Sequence, residues 1–176
     1  MRTYKFNPTQ RGASLIEAVL AISVLAVAIP LVFGALAESG KSAMASEAET
    51  RSSWIVPLCM DEIRASRAGS PQFFSATSVN QTFPASGDVW AIAFSAEGNT
   101  LGKVTKTDYD NGIKILNGQA IRYLATLSAE TTALTTDEQN AKPGAPAMMR
   151  AEITLEYPAT APVAKRQKID FYTRIP

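Results

Sequence analysis

Histidine is absent from this sequence of 176 residues, and cysteine occurs once, at Cys59. Without histidine the chain lacks the commonest general base, nucleophile activator and metal ligand of proteins, and no Ser-His-Asp arrangement can form. A single cysteine forms neither an internal disulfide nor a thiolate metal site, and we interpret Cys59 as a small buried apolar residue. We therefore expect a protein that is not an enzyme, with no catalytic residue, no cofactor and no metal.

An excess of charge of either sign is also missing. Lys and Arg total 17, Asp and Glu total 16, and the net charge is +1. Because a nucleic-acid-binding protein normally carries a clustered basic surface, we expect no nucleic acid among the partners. The short basic run Lys165-Arg166-Gln167-Lys168 is interpreted as the solvated start of a strand.

One long apolar run is present near the N-terminus. Residues 18–37 contain no charged side chain, and as a helix they reach about 30 Å, the thickness of a bilayer core. Arg2, Lys5 and Arg11 precede the run without an accompanying acid. The positive-inside rule places that end in the cytoplasm and the residues after about position 38 outside.

Three interpretations of this N-terminus compete. A secretory signal peptide has an apolar stretch of roughly 7–15 residues followed by a cleavage site, whereas this run is longer. The second interpretation is a plain membrane anchor. The third depends on Glu17, because a carboxylate costs on the order of 2.5–3.5 kcal/mol at the centre of a bilayer and is then a candidate functional residue. A position at the headgroup boundary would also accommodate Glu17.

A motif at residues 11–17 bears on this choice. The stretch RGASLIE resembles the type III signal of prepilins, in which a basic leader and a glycine precede Ser/Thr-Leu-Ile-Glu and an apolar helix. The resemblance implies cleavage after Gly12, whose missing Cβ admits a prepilin peptidase close to the backbone. The mature chain would begin at Ala13, the implied site of N-methylation, although the family usually has Phe there.

The resemblance also implies an assembly role for Glu17, which lies about one helical turn from the new ammonium at Ala13. In a filament, the Glu17 carboxylate of one subunit would pair with the Ala13 ammonium of its neighbour. That pairing relieves two charges in low-dielectric surroundings. It would also set the axial register of an incoming subunit.

The residues after Glu17 resemble those of minor subunits. Residues 17–21, EAVLA, are similar to the Glu-Val-Leu-Val-Ala pattern of minor pilins and minor pseudopilins. Pro30 comes one turn earlier than the helix proline of major subunits. We expect Pro30 and Gly34 to mark a kink or an unwound segment, because proline removes a helix hydrogen bond and clashes with the preceding turn. A proline simply tolerated in a membrane helix is the alternative.

The implied protein is a minor structural subunit of a type IV pilus-like filament or of a type II secretion pseudopilus. Its expected parts are a cytoplasmic leader that is removed (residues 1–12), a transmembrane and assembly helix (13–37), an amphipathic helix (38–68) and a β-rich ectodomain (69–176). The alternative is a membrane-anchored binding module with a β-rich ectodomain that does not polymerise.

The resemblance also implies a location and partners. The precursor would cross the bacterial inner membrane once, with its N-terminus in the cytoplasm and its C-terminus in the periplasm, before it enters the pilus or pseudopilus. Its expected partners are a prepilin peptidase, other pilin or pseudopilin subunits, the inner-membrane assembly platform and, before assembly, membrane lipid.

Residues 38–67 predict that the helix continues with one apolar face. The apolar positions lie near a four-residue spacing: Met44, Ala48, Ile55, Cys59, Ile63 and, beside them, Leu58. Pro57 is expected to kink or interrupt this part, and Gly69-Ser70-Pro71 to end it.

The rest of the sequence alternates with the period of two that is typical of strands. The predicted strands are residues 89–94, 101–107, 119–128, 149–157 and 169–175, and the last two form an antiparallel hairpin. Residues 71–88 and 129–147 are predicted loops. The expected fold is α+β and, as the resemblance also implies, pilin-like, with a long N-terminal helix on an antiparallel sheet.

Two smaller features complete the predictions. Residues 108–112, DYDNG, are similar to a calcium loop, but their spacing is one residue short of the EF-hand pattern and we interpret them as a turn. Trp54 and Trp90 are interpreted as core or interface residues.

Overall fold

The computed structural model of the chain describes residues 14–76, 82–84, 87–132 and 148–175. The chain divides into two compact units, Met1–Ala45 and Ser46–Pro176. One helix, α1 (Leu15–Arg67), contributes residues to both units. Apart from Ser14, every described residue of the first unit belongs to α1.

Helix α1 ends where the sequence predicts. After Arg67 the chain turns at Gly69, which has a φ of 81°. The backbone N–H of Ser70 then donates to the carbonyl of Ala65 at 2.9 Å. A glycine in the left-handed region that closes the last turn in this way is a common helix C-terminus, so the predicted stop is confirmed.

In the second unit, one face of α1 is buried. Ala48, Ile55, Cys59 and Ile63 have no exposed surface, which confirms these four positions of the predicted apolar face. Met44, 39% exposed, was wrongly placed on that face, and Leu58, 47% exposed, was wrongly placed beside it. Three polar residues lie on the buried face with the apolar ones: Ser52, Glu62 and Ser66.

The second unit also contains an antiparallel sheet. Its strands and the small hairpin beside it are β1 (Ala91–Phe94), β2 (Thr100–Val104), β3 (Ile115–Leu116), β4 (Gln119–Ala120), β5 (Tyr123–Thr132), β6 (Met148–Tyr157) and β7 (Gln167–Ile175). Five strands form the sheet in the order β2-β1-β5-β6-β7, and β3 pairs with β4 separately. Helix α1 packs on this sheet, which confirms the expected α+β architecture.

The main core lies between α1 and one face of the sheet. Strands β1, β5 and β6 contribute alternate residues to this core because side chains project to the two faces of a sheet in turn. Its large, fully buried members include Phe94, Ile92, Tyr123, Leu127, Ile153 and Leu155. A two-residue periodicity therefore located this face correctly in β5 and β6.

A second, smaller cluster covers the opposite face of the sheet near β1 and β5. It includes Ala91, Ala93 and Leu124, each with no exposed surface. Residues of the short helix α2 (Lys106–Asn111) and of the loop that follows β6 complete this cluster: Tyr109 and Ala159. This part of the sheet is therefore covered on both faces.

The strand predictions hold best for the C-terminal hairpin. β6 and β7 pair in continuous antiparallel register from Tyr157 with Gln167 to Met149 with Ile175. β5 extends through Thr132, so the predicted loop at 129–147 is wrong for its first four residues. Residues 133–147 of that loop lie outside the described part of the chain.

The predicted strand at 101–107 is too long, and the predicted turn at 108–112 is mostly helix. β2 ends at Val104, and Thr105 then caps α2 by accepting from the backbone N–H of Asp108. Gly112 ends α2 with a φ of 90°. A Cβ on Gly112 would lie 2.6 Å from the carbonyl oxygen of Thr160, which only glycine avoids at this position.

Candidate assembly segment and buried polar clusters

The first unit presents an apolar helix surface. Every large apolar side chain from Leu15, 83% exposed, to Leu36, 63% exposed, is solvent-accessible, and the least exposed is Ile29 at 52%. By length and composition this helix is able to cross a membrane, and none of its most apolar stretch is buried. It is the only helix of that kind in the described part of the chain.

Glu17 lies in the first turn of α1. The backbone N–H groups of Glu17 and Ala18 donate to the carbonyl of Ser14 at 2.9 and 3.1 Å. Its exposed carboxylate has no hydrogen bond or ion pair with any described residue. An acid near the start of a helix interacts favourably with the helix dipole, but in apolar surroundings it also needs a cation.

The other predicted processing residues lie outside the described part of the chain. Gly12 and Ala13 both precede Ser14, the first described residue. Cleavage after Gly12, methylation of Ala13 and the pairing of Ala13 with Glu17 therefore stay predictions.

Pro30 and Gly34 are both helical, as is Pro57 further along α1. No unwound segment interrupts the helix at these residues, and a kink stays a prediction. A Cβ added at Gly34 would meet nothing within 4 Å. Gly34 is therefore not needed for close packing within the described chain.

A buried carboxylate near the end of α1 anchors the segment that follows the helix. Glu62, 5% exposed, accepts hydrogen bonds from the backbone N–H groups of Gln72, Phe73 and Phe74 at 3.0, 2.8 and 3.1 Å. The anchored Phe74 ring stacks on Trp90 with 4.5 Å between ring centroids. Trp90 is thus a core residue, as predicted.

A second buried charge cluster connects α2 to the loop between β6 and β7. Glu156 accepts from the Tyr109 hydroxyl at 2.7 Å and from the Arg166 guanidinium at 2.8 Å, and it pairs with the Lys168 ammonium at 2.9 Å. The Arg166 Nε also donates to the carbonyl of Ala161 at 2.8 Å. The Arg166 guanidinium lies 4.7 Å from the centre of the Tyr109 ring.

The sequence interpretation missed this cluster. Alternation along β6 predicted that Glu156 faces solvent, and Arg166 was interpreted as part of a solvated strand start. Glu156 is instead fully buried and Arg166 is 7% exposed. The reason is that α2 covers the face of β6 on which Glu156 lies, through the Tyr109 hydroxyl.

The chemistry of these clusters favours a structural role. Both oxygens of Glu62 and both oxygens of Glu156 already have partners. Burial first and the Glu156 carboxylate second raise the pKa of Tyr109, which therefore stays a protonated donor. Burial, followed by the charge of Glu62, raises the pKa of the Cys59 thiol to about 12, so Cys59 is not a thiolate nucleophile near neutral pH.

The described residues contain no group of three or more His, Cys, Asp or Glu side chains placed to hold a metal ion. Several of the described acids instead meet basic side chains or backbone donors. Arg122, for example, pairs with Glu47 at 3.4 Å and connects the start of β5 to α1.

A groove runs along α1 beside the turn that joins β1 and β2. Trp54, Pro57 and Leu58 line it from the helix, and residues 97–100 line it from the turn. Trp54 is 66% exposed, so the predicted core position is wrong for this tryptophan, although an interface position stays a prediction.

Comparison with known proteins gives no further assignment: no family model, no curated protein and no solved structure matches the chain.

Proposed function

We propose that this chain is a minor structural subunit of a type IV pilus-like or type II secretion pseudopilus filament. A prepilin peptidase removes residues 1–12, and the retained helix first holds the chain in the inner membrane and then packs among the helices of other subunits. The observation that carries the proposal is the exposed apolar part of α1 with Glu17 in its first turn, together with the prepilin-like stretch at residues 11–17 that overlaps the start of this helix.

The exposed apolar helix surface supports this assignment energetically. Each Å² of apolar surface removed from water stabilises by roughly 25 cal/mol, so a helix exposed along its whole apolar length needs an apolar environment. Lipid supplies that environment before assembly, and the apolar helices of neighbouring subunits supply it afterwards.

The charge on Glu17 supports the same proposal. A carboxylate in apolar surroundings is stabilised by a cation or by a full set of hydrogen-bond donors. Glu17 has no such partner among the described residues. Cleavage after Gly12 would create an ammonium at Ala13, and the Ala13 ammonium of a neighbouring subunit would satisfy Glu17.

The first test is processing. We expect a Gly12→Trp variant, co-expressed with a prepilin peptidase, to keep residues 1–12, because a bulky side chain blocks the close backbone approach that glycine allows. Gly34→Ala is the matched control, since its new Cβ meets nothing within 4 Å. Intact-protein mass spectrometry measures the result, and a Gly12→Trp chain that matures like the parent would refute the proposal.

The second test is assembly. We expect a Glu17→Ala variant to be cleaved normally but to enter filaments poorly, since it cannot neutralise a neighbour's ammonium. Glu38→Ala removes an exposed acid from the same helix and should assemble like the parent. Quantifying each variant in sheared filaments distinguishes these outcomes, and normal incorporation of Glu17→Ala would exclude the pairing role.

A membrane-anchored binding module is the second candidate, and the edge strand β7, which pairs only with β6 among the described residues, favours it. The two functions differ in what surrounds the apolar helix. A cysteine introduced in place of Ile22, which is 67% exposed, should cross-link to the apolar helix of another subunit in a filament. In a non-polymerising anchor it should remain surrounded by lipid and uncross-linked.

A further inference from the structure

The two edges of the main sheet differ. At the β2 edge, the Asn117 side-chain amide donates to the carbonyl of Leu101 at 2.9 Å. Gly102 has a φ of 137°, and a Cβ there would lie 3.7 Å from Leu116. The register with β1 also shifts beside Phe94. A bulge and a covering turn of this kind blunt an edge strand against further pairing.

The β7 edge has none of these protections in the described part of the chain. All nine residues of β7 pair with β6 in unbroken register. β6 is the only strand that pairs with β7 among the described residues. Because neighbouring residues of an antiparallel strand direct their N–H and C=O groups to alternate sides, about half of these groups in β7 face outward without a strand partner.

The apolar row of β7 is incompletely covered. Phe171 and Ile169 lie opposite Ile153 and Leu155 of β6 on the face that packs against α1. The β6 residues are at most 1% exposed, whereas both β7 residues are only partly buried. Apolar surface therefore continues outward past the last strand.

The solvent-facing row of β7 carries one cation without a partner. Lys168 pairs with Glu156, and Asp170 accepts from the Thr154 hydroxyl at 2.7 Å. Arg174 has no hydrogen bond, ion pair or ring contact with the described residues, and it lies directly opposite Arg150. Like charges directly opposite each other across two strands are destabilising, so an acid beside Arg174 would remove a repulsion.

We propose that the free edge of β7 binds an extended segment of another polypeptide, which adds a sixth strand with an acidic side chain beside Arg174 and apolar side chains beside Phe171. Main-chain hydrogen bonds to the unpaired edge would supply affinity, and the alternating side chains would supply specificity. This inference concerns the second unit alone and does not depend on filament assembly.

The test uses the full chain in detergent micelles and a capped synthetic peptide that alternates valine with threonine and contains one glutamate. Hydrogen exchange followed by mass spectrometry reports the protection of each strand. At a peptide concentration of about ten times its Kd, we expect exchange of the outward-facing β7 amides to slow about tenfold. Exchange in β2 should not change.

Two control peptides separate the contribution of the acidic side chain from that of the main-chain hydrogen bonds. A peptide with lysine in place of glutamate should bind about twofold to fivefold more weakly, which is the size of one cross-strand charge pair. A peptide with N-methyl groups on alternate amides keeps its side chains but cannot donate to an edge, and it should give no protection.

A charge-reversal variant tests whether the glutamate of the bound peptide lies beside Arg174. Arg174→Glu should prefer the lysine peptide over the glutamate peptide, whereas Lys114→Glu, the same charge change at an exposed residue outside the main sheet, should keep the parent's preference. Arg174→Glu also removes the repulsion with Arg150, so we expect its urea midpoint to equal or exceed that of the parent.

Four results would overturn the proposal. They are equal added protection of β2 and β7, no protection by either charged peptide, full protection by the N-methylated peptide, and outward-facing β7 amides already protected in the free chain. In the last case, protection that increases with protein concentration would mean that a second copy occupies the edge. Protection independent of concentration would mean that another part of the same chain occupies it.

Discussion

The two parts of α1, residues 15–45 and residues 46–67, belong to one continuous helix but bury different amounts of surface. In the first part, all large apolar side chains are exposed. In the second part, a single face is buried and the other faces remain exposed. The comparison shows that helix formation does not require burial within the chain, and that the first part lacks a protein environment which the second part has.

The acids of the two parts show the same contrast. Glu17 in the first part has no partner among the described residues, whereas Glu62 in the second part accepts from three backbone N–H groups. A buried carboxylate is stable when its hydrogen bonds are complete. Glu62 is therefore satisfied by described residues of the second unit, whereas the exposed Glu17 would need a partner only in the apolar surroundings that the proposed function gives it.

The largest expected effect is on thiol reactivity. Because the pKa of Cys59 is raised to about 12, its thiolate population at about pH 8 should be roughly a thousandfold below that of an exposed thiol. Its alkylation rate should keep rising with pH up to about 12. A Ser42→Cys chain that also carries Cys59→Ala places the only thiol on the first part of α1, where the rate should level off above about pH 9.

Iodoacetamide labelling followed by intact mass measures both rates. Labelling of Cys59 that levels off at the same pH as the exposed thiol would contradict the burial of this helix face.

The next effect in size is on packing. Ile55→Ala should lower the free energy of unfolding of the second unit by about 2–5 kcal/mol, because the deleted atoms leave a cavity in a core position with no exposed surface. Ile22→Ala makes the same chemical change at a residue that is 67% exposed and should leave that free energy unchanged. Urea unfolding of both variants measures the two changes, and equal shifts of the two midpoints would contradict the prediction.

A smaller effect is expected from the buried carboxylate. Glu62→Gln should destabilise the second unit by about 2 kcal/mol, because one backbone donor would face an amide N–H₂ group instead of an oxygen. Glu17→Gln should not affect unfolding of that unit. Hydrogen exchange of residues 72–74 provides the local measurement, and unchanged protection in Glu62→Gln would contradict the anchoring role.

The smallest effect is expected at Trp54. Trp54→Ala should change the free energy of unfolding by no more than about 0.5 kcal/mol, since its side chain is 66% exposed and surface substitutions usually stay in that range. Trp90→Phe, at a residue stacked on Phe74, is the buried comparison and should destabilise more. A large decrease in the free energy of unfolding of Trp54→Ala would show that the groove along α1 stabilises the fold.

The sequence predicted the parts of the fold that depend on local periodicity. The β6–β7 hairpin and the buried positions of α1 follow from periods of two and of about four residues. Helix α2 was missed, although Thr105 and Asp108 have the spacing of a capping box. Their side chains hydrogen-bond each other at 2.8 Å, and the Asp108 N–H also donates to Thr105.

The buried charges could not be predicted from periodicity. Glu156 alternates with its neighbours as a solvent-facing residue would, and only the packing of α2 on that face of β6 buries it. Burial of such a residue depends on contacts between segments far apart in sequence, here Tyr109 and Glu156. For the candidate assembly segment, the apolar helix was predicted, whereas the proposed processing at Gly12 and Ala13 would depend on an enzyme outside the chain.

The Asn117 side chain, which donates to Leu101 of β2, has a consequence for the growth of fibres by strand addition. Sheet-mediated fibres elongate only when each molecule offers a receptive edge at both ends. Here the turn between β3 and β4 covers the β2 end of the row, whereas no strand other than β6 pairs with β7 among the described residues. Under the proposal for β7, a strand that joined this edge would complete the sheet instead of starting a ladder of molecules, so sheet growth would stop at this domain.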